Sequence, residues 1–74
     1  MKDLLTFILK GILGEEKFEI QEAEEDGREV YTIQTEDTNK GLIIGKGGRM
    51  ISSIRNILKV RATLEKRVVN LQVV

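Results

Sequence analysis

The sequence predicts an α+β fold, a single domain over residues 1–74 in which a three-stranded sheet carries helices packed on one face. Three observations predict it. Hydrophobic spacing switches between helical and strand periods in the order α-β-β-α-α-β. An Asp26-Gly27 pair sits between two alternating segments. The chain ends in a further alternating segment.

The first helix is predicted over residues 3–13. Leu5, Ile8, Leu9 and Ile12 recur at i, i+3, i+4 and i+7, which makes one apolar stripe. Asp3 is the expected N-cap. Gly14 suits the left-handed position that ends a helix. Residues 17–35 read as a hairpin. Phe18 and Ile20 alternate with Lys17, Glu19 and Gln21. Asp-Gly favours a type I′ turn, which needs positive φ at both central residues. Tyr31, Ile33 and Thr35 should then share one face of the second strand, with Val30, Thr32 and Gln34 on the other.

Asp37 or Thr38 is the expected cap of a short helix running to Ile44. Gly45-Lys46-Gly47-Gly48 interrupts it. A longer helix should follow from Arg49 to Leu64, with Ile51, Ile54, Leu58 and Ala62 along one face. Arg55 and Lys59 lie on a neighbouring polar face. In the last strand Val69, Leu71 and Val73 face one way, Asn70 and Gln72 the other.

Composition excludes several chemistries. The 74 residues include no Cys, His, Pro or Trp. Disulfide scaffolds, Cys/His zinc sites and His-based acid-base or nucleophilic catalysis are therefore out. No cofactor is implied, and no catalytic constellation is positioned, so the chain reads as a non-enzyme. The apolar start around Leu4 to Leu13 carries Lys10 and is shorter than the roughly 20 residues of a membrane span. The expected compartment is the cytoplasm, with no membrane partner. A hydrophobic fraction of 41% with 32% charged residues of mixed sign suits a small folded domain.

Net charge is zero, yet the charges are segregated. Residues 1–37 carry four cations against eleven acids, net −7. Residues 38–74 carry eight cations against Glu65 alone, net +7. Such asymmetry points to nucleic acid. The basic half also holds the most informative segment, from Gly41 to Ile51. A Walker A loop fails there. Only three residues separate Gly41 from Gly45, and Gly47 follows Lys46 where a hydroxyl belongs. A dinucleotide fingerprint fails because Met50 takes the place of its third glycine. A helix-GxxG-helix loop fits. Gly45 and Gly48 let a sugar-phosphate strand approach closely. The next helix offers its N-terminal N–H groups to phosphate. Lys46 and Arg49 add charge.

The segment Ile43-Ile44-Gly45-Lys46-Gly47-Gly48-Arg49-Met50-Ile51 resembles the signature of KH domains. The element order resembles their type II arrangement. The whole chain is similar to the KhpA family of small bacterial KH proteins. The resemblance implies single-stranded RNA binding through a GxxG clamp on about four backbone nucleotides, without catalysis. It implies an RNA chaperone or post-transcriptional regulator linked to cell length and peptidoglycan homeostasis. It implies a homodimer, or a heterodimer with a larger KH protein of the KhpB type. The Gly45–Gly48 loop would meet the RNA backbone, and Ile44 and Ile51 would line the groove for bases.

The RNA-binding set expected here is Lys40, Ile44, Gly45, Lys46, Gly47, Gly48, Arg49, Ile51, Arg55 and Lys59. Lys66 could extend the same phosphate track, and Arg61 is expected to snorkel. Gly47 stands where KH domains often carry a long polar side chain. A floppier loop and weaker affinity than a two-cation clamp follow. Tyr31 and Phe18 read as packing residues, because the longer aromatic signature of an RNA-recognition motif is absent. Glu22, Glu24, Glu25 and Asp26 lack EF-hand spacing and read as a solvated hairpin tip. The alternative function is a dimerisation or protein-interaction module with the same loop at a subunit interface.

Overall fold

A computed structural model describes residues 1–15 and 17–74. Its elements are α1 (Lys2–Leu13), β1 (Phe18–Glu25), β2 (Arg28–Thr35), α2 (Asp37–Ile44), α3 (Arg49–Leu64) and β3 (Val69–Val73). The order α-β-β-α-α-β is the expected one. A three-residue 3₁₀ turn, Lys46–Gly48, separates α2 from α3.

The sheet runs β1-β2-β3, so β2 is central. β1 pairs antiparallel with β2, with Phe18 opposite Thr35 and Glu25 opposite Arg28. Asp26 and Gly27 have φ of 51° and 77°, the two positive values a type I′ turn demands. β3 lies parallel to β2, with Glu29 opposite Val69 and Ile33 opposite Val73. Parallel neighbours need a crossover, and α2 with α3 supplies it.

Leu5, Leu9 and Leu13 on α1 meet Ile51, Ile54, Leu58 and Ala62 on α3 and Tyr31, Ile33, Val69 and Leu71 on the sheet. On α3 and the sheet these are positions that the periodicities mark. On α1, Leu5 and Leu9 are, but Leu13 is buried in place of Ile8 and Ile12. Those two are half-buried at the edge of the core, because packing turns the helix toward its Leu5-Leu9-Leu13 row. Val30 departs from expectation. It lies on the outer face of the sheet yet is only 7% exposed. A central strand explains this, because Ala23 on one side and Asn70 on the other flank it.

Both helix caps differ from expectation. Met1, not Asp3, is the N-cap of α1, and its carbonyl accepts from the Leu5 N–H at 3.1 Å. Asp3 lies inside the first turn, where its charge still suits the helix dipole. Glu36 caps α2 with extended backbone and no side-chain bond, so Asp37 is already helical and Thr38 follows it. Asp37 pairs instead with Lys40 at 3.2 Å. The start of α2 is fixed by a relay that sequence patterns did not reveal. Buried Asn39 donates to Thr35 Oγ1 at 3.1 Å, and Thr35 donates to the Lys17 carbonyl at 2.8 Å. One side-chain pair thus joins α2, β2 and the approach to β1.

α3 ends in a Schellman motif. The Arg67 N–H donates to the Ala62 carbonyl at 2.8 Å, and the Lys66 N–H to Thr63 at 3.1 Å. Lys66 takes the left-handed position with φ 57°. Glycine usually fills it, and a side chain there costs roughly 1 kcal/mol. Among the described residues, no helix is long and apolar enough to cross a membrane.

Candidate nucleic-acid interface

The α2–α3 elbow is built from glycines with defined tasks. Gly45 ends α2 with φ 75° and ψ 174°, and its N–H donates to Gly41 at 2.9 Å. A Cβ on Gly45 would stand 2.6 Å from the Met50 Cβ. The elbow therefore closes tightly only without a side chain there. Gly47 (φ 64°) and Gly48 (φ 77°) are left-handed, with open space where a Cβ would go. The Gly48 N–H turns back to the Gly45 carbonyl at 3.2 Å.

This turn delivers a helix start with no side-chain cap. Gly48 is the N-cap of α3 and makes no side-chain cap bond. No acidic residue lies in the first turn. The Arg49 N–H already donates to the Lys46 carbonyl, and the Met50 nitrogen packs against Gly45. What the start of α3 offers is therefore the positive end of the helix dipole, with no carboxylate in the first turn. Lys46 and Arg49 flank it, and Arg49 is exposed. Such a surface is suited to phosphate oxygens.

The two apolar flanks separate. Ile44 is 41% exposed beside the loop, whereas Ile51 is 7% exposed and belongs to the core. Ile51 supports the elbow from beneath. Lys40 sits on the early part of α2, held by Asp37, rather than at the glycines. Arg55 reaches the sheet, where its Nη2 donates to the Leu71 carbonyl at 3.3 Å. Arg55 and Lys59 line a cleft of about 340 Å³ with Asn70 and Gln72 of β3. The structure thus gathers Ile44 to Arg49 at the elbow and puts Arg55 and Lys59 along a cleft leading away from it. Arg61 does not simply snorkel, since its Nε donates to Glu65 Oε2 at 2.8 Å.

Glu29, Glu65 and the acidic hairpin tip lie toward the other end of α3. α3 spans 16 residues, or about 24 Å. Its N-terminus meets the glycine loop. Its C-terminus meets Arg67, which pairs with Glu29 at 3.2 Å and Glu65 at 3.8 Å. Glu29 is the second residue of β2, just after the acidic hairpin tip. The Arg61 hydrogen bond, with the Arg61 and Arg67 charges, holds the Glu65 carboxyl below the usual range. Burial, then the charges of Glu29 and Glu22, pushes the Tyr31 hydroxyl above its ordinary value. No group of three or more acids among the described residues is placed to hold a metal ion.

With this elbow in view, the sequence profile of the KhpA/KhpB KH domain matches residues 2–73. The chain belongs to the KhpA/KhpB family of KH domains. A relative from Thermotoga maritima, RNA-binding protein KhpA, is 41% identical over 59 residues. The match covers 78% of this chain and 79% of that relative. No solved structure matches the chain. The family match takes in the elbow, the α3–β3 cleft and the acidic hairpin together.

One feature of this KH domain escaped the motif reading. Outside the core face of α3, Met50, Ile57, Val60 and Leu64 are 41%, 46%, 64% and 77% exposed. With Ser53 they follow alternating steps of three and four residues, the spacing of a coiled-coil seam. The signal was in the sequence, as apolar residues off the inward face.

Proposed function

We propose that this chain binds single-stranded RNA as a cytoplasmic, non-catalytic KH protein of the RNA-chaperone or post-transcriptional regulator kind. Its cellular consequence would be the family's link to cell length and peptidoglycan homeostasis. The observation that carries the reading is the start of α3, with no side-chain cap and no first-turn acid, reached through the glycines of Gly45–Gly48 and flanked by Lys46 and Arg49. The phosphate backbone enters at the elbow, where glycines permit close approach and the positive end of the α3 dipole meets its oxygens. Bases continue past Ile44 toward the cleft lined by Arg55 and Lys59. The acidic hairpin at the far pole keeps RNA to this end.

The test is replacement of Lys46 and Gly47 by Asp, giving Gly-Asp-Asp-Gly. Asp tolerates left-handed backbone better than most residues, so the fold should persist by circular dichroism. RNA affinity should vanish. Retained affinity in the folded variant would refute the clamp.

A second reading is favoured by the outer stripe of α3. An exposed apolar row at coiled-coil spacing suits a second KH domain, as a homodimer or a KhpB-type heterodimer. Pairing there accompanies RNA binding rather than replacing it, because the glycine loop lies at the end of the row. Substituting Ile57 and Leu64 with Gln should give a folded monomer by sedimentation. An unchanged sedimentation coefficient would exclude this surface.

A further inference from the structure

We propose that Arg55 selects the base held in the α3–β3 cleft, favouring guanine and cytosine over adenine and uracil. The inference rests on the RNA-binding reading above and names what that site prefers.

β3 is an edge strand, paired with β2 alone. The Glu29 N–H donates to the Val68 carbonyl at 2.9 Å, and the Val74 N–H to the Ile33 carbonyl at 3.0 Å. The even-numbered residues of β3 thus face β2, because backbone groups alternate sides along a strand. Val69, Leu71 and Val73 turn their N–H and C=O groups to the free edge. Val69 and Leu71 also line the cleft, together with Arg55 and Lys59 of α3.

An uncovered strand edge reads bases both ways, since each peptide offers a donor and an acceptor. Arg55 changes that at Leu71. Its Nη2 donates to the Leu71 carbonyl at 3.3 Å. The bond occupies the acceptor and anchors the guanidinium against the β3 wall. The rest of the guanidinium is a planar fork of donors with no acceptor. Lys59 is donor-only as well. The Asn70 and Gln72 amides, also in the cleft, both donate and accept and so do not discriminate.

A planar fork pairs best with two neighbouring acceptors. Guanine offers O6 and N7, and cytosine offers O2 and N3. Adenine and uracil alternate acceptor with donor, so an N–H of the base would meet an N–H of Arg55. At about 340 Å³ the cleft admits one base. Arg55 follows Gly48 by seven residues, about 10 Å along α3. That lies within the roughly four nucleotides that a glycine clamp spans.

The test uses single-stranded hexauridylate in which one central uridine is kept or replaced by guanosine, cytidine or adenosine. Wild type should bind the guanosine and cytidine forms about 5- to 30-fold more tightly than the other two. 7-Deazaguanosine, which lacks the N7 acceptor, should lose most of the guanosine gain. Arg55→Lys keeps the charge without the fork. With its fold checked by circular dichroism, it should bind all four within about twofold of one another, at an unchanged salt slope. Equal affinities in wild type, or full affinity for the 7-deazaguanosine form, would overturn the proposal whether or not the variant folds. So would a guanosine and cytidine preference that persists in folded Arg55→Lys. In each case salt-dependent binding weakened by Lys46→Ala would leave the RNA reading standing. Absence of salt-dependent binding to all four RNAs would defeat that reading, and the proposal with it.

Discussion

Gly45 and Met50 pack so closely that a methyl group on Gly45 would stand 2.6 Å from the Met50 Cβ. This contact sets how sharply α2 folds back into α3. Gly45 also has φ 75°, which an L side chain resists. Gly45→Ala should therefore cost about 2–4 kcal/mol, from a clash against backbone-bound atoms plus left-handed strain. Urea unfolding measures it. A cost below about 0.5 kcal/mol would mean that the elbow opens freely.

Gly47 obeys a different constraint. Space for a Cβ is open, but φ is 64°. Its role is a specified left-handed turn and not only slackness. Gly47→Lys adds a phosphate contact and also adds strain of about 1 kcal/mol. Gly47→Asn should be nearly neutral in stability, since Asn tolerates this region. Comparing the two by thermal melting and RNA titration separates charge from conformation. The expected result is tighter RNA binding by the Lys variant alone, together with a lower melting temperature. No gain in affinity would show that a second cation at this position does not reach phosphate.

Much of the fold was legible because burial follows periodicity. The stripe Ile51, Ile54, Leu58 and Ala62 is buried as its spacing requires. Asp26-Gly27 forms the turn its φ preferences dictate. Caps were less legible, since Asp3 and Asp37 are good caps that lie one or two residues inside their helices. Helix phase is set by packing, and a cap does not decide it. Within the site, Ile44 and Ile51 look equivalent in sequence as apolar flanks of the loop. The 3₁₀ turn between them rotates one outward and the other into the core. Arg55 reads as a surface cation, but its bond to Leu71, 16 residues away, is a tertiary fact that no local pattern encodes.

The acidic pole gives a further expectation. Glu22, Glu24 and Glu25 are exposed on the strand that leads to the hairpin turn. Replacing all three by Gln should raise non-specific RNA binding at low salt, because long-range repulsion is removed. The gain should disappear as salt shortens the screening length. Unchanged affinity at low salt would assign these acids to solubility alone.

Tyr31 links stability to alkaline pH. Its hydroxyl is held neutral above its ordinary pKa, first by burial and then by Glu29 and Glu22. In the unfolded chain it ionises near 10. Its stabilising contribution is therefore full below about pH 10 and is lost as pH rises through that value toward the folded pKa. Tyr31→Phe should remove this part of the alkaline loss. Urea midpoints for wild type and variant, followed from about pH 8 to 11, check the sign. Parallel curves would contradict it.

A grip of the glycine elbow on RNA phosphates through Lys46 and the start of α3 should show in the salt dependence of binding. The most direct measurement is the affinity for a single-stranded RNA as a function of salt, for wild type and Lys46→Ala. Log affinity should fall linearly with log salt, and the variant's slope should be flatter by about 0.7, one phosphate contact on a single strand. An identical slope and affinity in the Lys46→Ala protein would contradict it.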